Sequence, residues 1–178
     1  MSLKTLKLKK KTFDHSKISK ELNNEIFLLK NSFWKYGVKS QSIWQTKNVK
    51  PFDVHNCLFI KKELAGYTLL RKRKMFLNKK KYFFYLVDTV TISKKYRQQN
   101  IGSYLMKMNN DFLKKRKKIG FLLCKKNLVN FYIKSGWKKL KKNTFKVDAK
   151  KLNLNGMTYN FVSQGKTQNK NLIYFSTN

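Results

Sequence analysis

The spacing of apolar and polar positions changes several times along the chain, and each change predicts an element. Ile18, Leu22, Ile26, Leu29 and Phe33 recur at helical spacing, so a helix is predicted from Ser16 onward. Ser16 or Ser19 can cap it, and Glu21 falls in its first turn. Phe33 to Asn48 reads as a loop or broken helix carrying Trp34, Tyr36 and Trp44, and Pro51, the only proline, closes it. Asn56–Ile60 and Tyr67–Arg71 read as two strands, with a hairpin turn over Lys61 to Gly66. Met75 to Lys81 reads as a polar turn. The apolar run from Tyr82 to Val90 then predicts a central strand. A polar turn containing Gly102 follows it. An amphipathic helix comes next and ends in the cations Lys114 to Lys118, which complement the helix dipole.

Ile119–Cys124 predicts a second buried strand. A strand–helix–strand order implies a right-handed crossover, with this strand parallel to the central one. Asn127 can cap a short helix from Leu128 to Ser135, and Gly136 ends it. Thr144–Val147, Met157–Val162 and Leu172–Phe175 read as further strands, with turns at Gly156 and Gly165. Residues 1–15 read as a basic arm with a first strand around Thr12 and Phe13. No internal repeat or linker divides the chain, so one domain over residues 1–178 is expected.

Composition adds one strong feature. The chain carries 42 Lys and Arg against 8 Asp and Glu, a net charge of +34. Such a charge fits a binder of nucleic acid or of polyanionic ligands. Yet only Arg71, Arg73, Arg97 and Arg116 are arginine, the preferred reader of bases and phosphates. The lysines are spread over the whole sequence, so compositional bias is the preferred account and nucleic acid the lesser partner. No apolar run reaches the roughly 18 to 20 residues that span a bilayer, and a cytoplasmic location is the default. Cys57 and Cys124 have no metal spacing with His15 and His55, so no metal is expected and both thiols read as reduced strand residues. His55 reads as a surface or hydrogen-bonded residue rather than a ligand.

Two places can carry chemistry. Arg97-Gln98-Gln99-Asn100-Ile101-Gly102-Ser103 follows a strand and opens a helix, where unpaired N–H groups and the positive dipole end hold a phosphate. Lys94, Lys95 and Arg97 add cations there. Asp88 is the one acid inside a strongly apolar run. A carboxylate in such a place is poorly hydrated, which suits a general base.

Val90-Thr91-Ile92 followed by Tyr96 to Met106 resembles motif A of the GNAT superfamily of acetyl-CoA-dependent N-acetyltransferases, R/Q-x-x-G-x-G/A after a strand. Arg97 takes its first place, Asn100 stands for the first glycine and Gly102 for the second. Asn127 to Trp137 resembles the family's motif B, N-x-x-x-x-F-Y-x-x-x-G-F/W, at the expected spacing. Together the resemblance covers Asn56 to Trp137.

The resemblance implies an α+β fold. Its sheet is twisted, mixed and mostly antiparallel, with about six to seven strands, three to four helices and a V-shaped splay between two central parallel strands. It implies acetyl-CoA as acyl donor and a small primary amine as acceptor. Val90, Thr91 and Ile92 would face the pantetheine, Arg97, Gln98, Gln99, Asn100, Ile101, Gly102 and Ser103 the pyrophosphate, with Asn127 and Asn130 also at the coenzyme. Tyr132 would protonate the departing thiolate, and Asp88, which has a counterpart in proteins resembling aminoglycoside 2'-N-acetyltransferases, would be the base. Trp34, Trp44 and Tyr159 would wall the acceptor pocket. A monomer or homodimer is expected. The alternatives are a basic nucleic-acid-binding protein without catalysis, or a coenzyme-binding GNAT domain without acetylation activity.

Overall fold

The computed structural model describes residues 7–148, 154–161 and 173–176. Its strands hydrogen-bond in the order β1-β2-β3-β4-β5-β8-β6, with β9 on β3 and β7 on β9. These are β1 (Leu8–Asp14), β2 (Val54–Ile60), β3 (Glu63–Leu77), β4 (Lys80–Ile92), β5 (Ile119–Cys124), β6 (Lys138–Lys139), β7 (Phe145–Val147), β8 (Asn155–Tyr159) and β9 (Ile173–Phe175). Among the described residues four helices accompany them: α1 (Lys20–Asn31), α2 (Val38–Asn48), α3 (Ile101–Lys115) and α4 (Val129–Lys134). The nine strands among the described residues exceed the expected six or seven, partly because β6 and β7 are only two and three residues long. The chain forms two compact units interleaved in sequence, Met1–Arg71 with Asp88–Asn109, and Lys72–Val87 with Asn110–Asn178. Residues of β3, β4 and α3 belong to both.

In the first unit, β1, β2 and the start of β3 form an antiparallel meander. The strand around Thr12 is longer than the pattern indicated, because lysines at positions 9, 10 and 11 stand exposed on an edge strand, where charge is normal. The hairpin turn is only Lys61-Lys62, both left-handed at φ 49° and 71°. That matches the type I′ hairpin turn, in which both central residues have positive φ. Glu63 to Gly66, expected in the turn, already belong to β3. Gly66 allows close packing there: a Cβ would stand 3.0 Å from Ile92 Cδ1 and 3.5 Å from Leu105 Cδ2. Ser19 caps α1 by accepting from the Leu22 N–H at 3.2 Å. Ile26, Leu29, Val49, Cys57, Tyr67 and Leu69 form one core, and Leu58, Ile60, Ala65, Tyr96, Ile101 and Leu105 another.

In the second unit, Met75 to Lys81 is not a turn. β3 runs to Leu77, and Asn78-Lys79 reverse the chain at φ 51° and 62°. β4 and β5 are parallel over Phe84–Leu86 against Ile119–Phe121, the crossover pairing expected. β5 also pairs antiparallel with β8. The core is aromatic: Phe121 stacks on Phe175 with centroids 3.9 Å apart, and Phe84 meets Phe175 edge-on at 5.1 Å. Gly156 lies within β8 rather than in a turn, with the Phe145 ring 2.6 Å from where its Cβ would be. Leu128, not Asn127, precedes α4 as its cap, because Lys126–Leu128 first form a 3-10 turn. Gly165, Val162 and Leu172 lie outside the described residues.

Candidate active site

β4 ends at Ile92, and the chain reaches α3 through a short irregular stretch. The Ser93 N–H donates to the Ala65 carbonyl at 2.9 Å, tying the turn to β3. Gln98 and Asn100 are left-handed, at φ 60° and 56°. Asparagine tolerates this region better than most residues, so its replacement of glycine is conformationally sound. A stretch that alternates left-handed with ordinary residues turns successive N–H groups to one side, the geometry of an anion nest. It leads directly into the 15-residue α3, whose N-terminus adds the dipole. The Asn100 carbonyl accepts from the Ser103 and Tyr104 N–H groups at 3.0 and 3.2 Å, so the Ser103 N–H is engaged in starting the helix.

The cations around this loop differ from one another. The Lys95 ammonium is held by both Glu63 carboxylate oxygens at 2.7 and 2.8 Å, and the Tyr96 hydroxyl donates to the same carboxylate at 2.7 Å. Glu63 therefore offsets Lys95. The Arg97 guanidinium lies 4.3 Å from the Phe33 ring centroid. Val90 and Ile92 pack against the core that includes Ile101 and Leu105, and Thr91 is buried with its hydroxyl donating to the Thr89 carbonyl at 3.0 Å.

The same unit holds a pocket of about 470 Å³, lined by Lys30, Trp34, Tyr36, Ser40, Gln41, Trp44, Asp88 and Thr89. α1 contributes Lys30, α2 contributes Ser40, Gln41 and Trp44, and β4 contributes Asp88 and Thr89. Trp34, Trp44 and Asp88 are thus brought together. Tyr159 is not among the lining residues. It sits on β8 in the other unit, its ring 5.6 Å from Trp137. The Gln41 side-chain amide donates to the Trp34 carbonyl at 3.3 Å, fixing the loop between α1 and α2.

Asp88 is not the buried acid that its apolar run suggested. Its side chain keeps 32% of its exposure and pairs with Arg71 Nη1 at 3.3 Å. The fully buried acid is Asp53, which accepts from the Lys50 N–H at 2.8 Å. Thr89 follows at φ 55°, a rare conformation for a β-branched residue. Trp44 carries two cations, Lys30 Nζ at 4.7 Å and the Arg71 guanidinium at 5.3 Å from its centroid. Burial lowers the Lys30 pKa, and the negative charge of Asp88 acts against that. Lys30 and Arg71 escaped the sequence reading. Lys30 is four residues after Ile26, on the apolar face of its helix, but one lysine among so many gave no signal.

The pocket's unit also holds a polar chain. His15 Nδ1 and His55 Nε2 are 3.0 Å apart, and His55 Nδ1 is 2.8 Å from the Tyr67 hydroxyl. His55 is fully buried, so of its two expected settings, surface or hydrogen-bonded, it takes the second. Among the described residues no three His, Cys, Asp or Glu side chains converge as a metal would need.

In the second unit, Tyr132 sits on α4, buried, with its phenol pushed well above the ordinary value by burial and then by Cys124. The Trp137 indole donates to Asn110 Oδ1 at 2.9 Å, and the Asn110 amide donates to the Ser135 carbonyl at 2.8 Å. These bonds hold the end of α4 against α3. Gly136 is left-handed at φ 83° and stops the helix. Asn127 and Asn130 are both exposed.

A mixed sheet with a parallel β4–β5 pair, an irregular anion-type loop between β4 and a long helix, and a short helix after β5 define an acyltransferase-like α+β fold. The chain matches the family described as acetyltransferase (GNAT) domain over residues 53–152, more than half of its 178 residues, and it belongs to that family. By class it is therefore an N-acetyltransferase.

Solved structures of similar fold include YhbS, a GNAT family N-acetyltransferase from Escherichia coli in complex with CoA. That match has a TM-score of 0.67 and 11% identity over 96% of this chain and 90% of that one. Escherichia coli ElaA matches with a TM-score of 0.63 and 17% identity over 85% and 98% of the two chains. An aminoglycoside 6'-N-acetyltransferase complexed with coenzyme A matches with a TM-score of 0.63 and 13% identity over 85% and 96%. At such identities the likeness is one of fold. No curated protein matches the sequence significantly. Among the described residues no helix is long and apolar enough to cross a membrane.

Proposed function

We propose that residues 1–178 act as one cytoplasmic acetyl-CoA-dependent N-acetyltransferase, moving an acetyl group to the primary amine of a small acceptor by direct attack. The observation that carries this is the loop of Arg97 to Ser103. Its two left-handed residues and following helix suit the pyrophosphate of coenzyme A, in a chain that belongs to the GNAT family. Arg97 adds a guanidinium to the same loop. The backbone of Val90, Thr91 and Ile92 pairs with the pantetheine, and Asn127 and Asn130 flank the coenzyme from motif B.

The acceptor occupies the pocket of Trp34, Trp44 and Asp88. Asp88 removes a proton from the ammonium, directly or through water, and frees the lone pair that attacks the thioester carbonyl. The Val90 N–H polarises that carbonyl. Collapse of the tetrahedral species breaks the C–S bond, and Tyr132 gives its phenolic proton to the leaving thiolate. A phenol is protonated at neutral pH, as this role requires, and burial keeps Tyr132 so.

Calorimetric titration with acetyl-CoA tests the reading. Saturable one-site binding is expected, and its absence would remove the coenzyme reading altogether.

A further inference from the structure

We propose, on the basis of the acetyltransferase reading, that the acceptor is a zwitterion: an amino-acid-like molecule whose ammonium meets Asp88 and whose carboxylate meets Lys30. Lys30 would then be the residue that selects the acceptor. It lines the pocket while only 4% exposed. Its ammonium lies over the Trp44 ring at 4.7 Å. The one acid of the pocket lining, Asp88, is already bound by Arg71 at 3.3 Å. Two cations therefore share one carboxylate around Trp44. The desolvation of this buried ammonium, held against a ring face, is only partly offset by Asp88, whose carboxylate Arg71 also binds.

A ligand carboxylate completes that offset through a charge-assisted hydrogen bond. One ammonium matches one negative charge, which favours a monocarboxylate over a phosphate dianion. Trp34, Tyr36 and Trp44 offer apolar walls to the body of the molecule. The volume of about 470 Å³ falls in the range of small-molecule sites. Polycationic acceptors meet Lys30 and are repelled.

The test uses the full chain saturated with coenzyme A and two probes, L-phenylalanine and L-phenylalaninamide. They share the amine and the body but differ in the carboxylate. Binding is followed by tryptophan fluorescence at a pH where both amines are protonated. The acid is expected to bind at least about tenfold tighter than the amide. Lys30→Met should bring the two probes to equal affinity, and Lys30→Arg should retain the preference. Equal binding in the wild type, no binding of either probe, or discrimination that survives Lys30→Met each overturns the proposal. Should Lys30→Met fail to fold, the wild-type acid–amide comparison decides alone. Calorimetry with acetyl-CoA separates the failures. Coenzyme binding without discrimination removes only the zwitterion, whereas no coenzyme binding removes the acetyltransferase reading beneath it.

Discussion

Asp88 and Tyr132 carry separable proton transfers, so their variants should separate too. Asp88→Asn keeps the size of the side chain but removes the base and the charge that pairs with Arg71. Tyr132→Phe removes only the phenolic hydroxyl from a buried ring. Each is expected to lower kcat by about two to four orders of magnitude, with acetyl-CoA affinity within a few-fold of wild type. Steady-state kinetics with calorimetry on the same preparations checks this, and near-normal turnover in both variants would remove the assigned roles.

His55 gives a residue-scale prediction about stability. Burial, then the neighbouring His15 and Lys30, push its pKa from 6.5 to about 3. The unfolded chain takes up this proton near 6.5, while the folded chain resists it until about 3. The stabilisation is therefore whole above pH 6.5 and is lost as the pH falls toward 3. The expected slope is about 1.4 kcal/mol per pH unit within that window. Urea midpoints measured at pH 7 and pH 5 should show the drop, and His55→Gln should flatten it.

At the scale of elements, the buried and strongly periodic ones were legible. β5 was read to the residue, and Ser19, Gly136 and the parallel β4–β5 pair followed from capping, turn and crossover rules. The hairpins were misplaced because their turns are Lys-Lys and Asn-Lys rather than the Asn-Gly that such backbones favour. The C-terminal half of β3 was hidden by exposed cations such as Lys74 between buried positions. Of the candidate site, the loop was legible through Gly102 and Asn100, and the aromatic wall through Trp34 and Trp44. Lys30 and Arg71 were not, since their roles depend on which strand and helix the fold sets around Trp44.

The loop makes a backbone prediction. Asn100 holds φ 56°. Asn100→Gly should preserve acetyl-CoA affinity within a few-fold, since glycine enters this region freely. Asn100→Val should weaken it by about tenfold or more, because a β-branched residue there costs about 1–3 kcal/mol or moves the loop. Equal affinities in the two variants would mean that the left-handed turn does not shape the coenzyme site.

For the whole molecule, the net charge of +34 has two competing consequences. One is attraction to any polyanion, nucleic acid included; the lysines at positions 7, 9, 10, 11, 61 and 62 border a groove of about 760 Å³ beside Phe59. The other is long-range capture of a coenzyme that itself bears several negative charges. Capture acts through the summed field, so salt should suppress it as the Debye length shrinks from about 10 Å at 0.1 M to about 3 Å at 1 M. Contacts within the loop are short-ranged and screened less. The association rate of acetyl-CoA, measured by stopped flow, should therefore fall by about tenfold or more over that range, while the dissociation rate changes by less than a few-fold. A generic RNA should slow the same association at low salt and lose that effect at high salt, since its own binding rests on counterion release. An association rate indifferent to salt would mean that the lysines only decorate the surface and do not serve the coenzyme site.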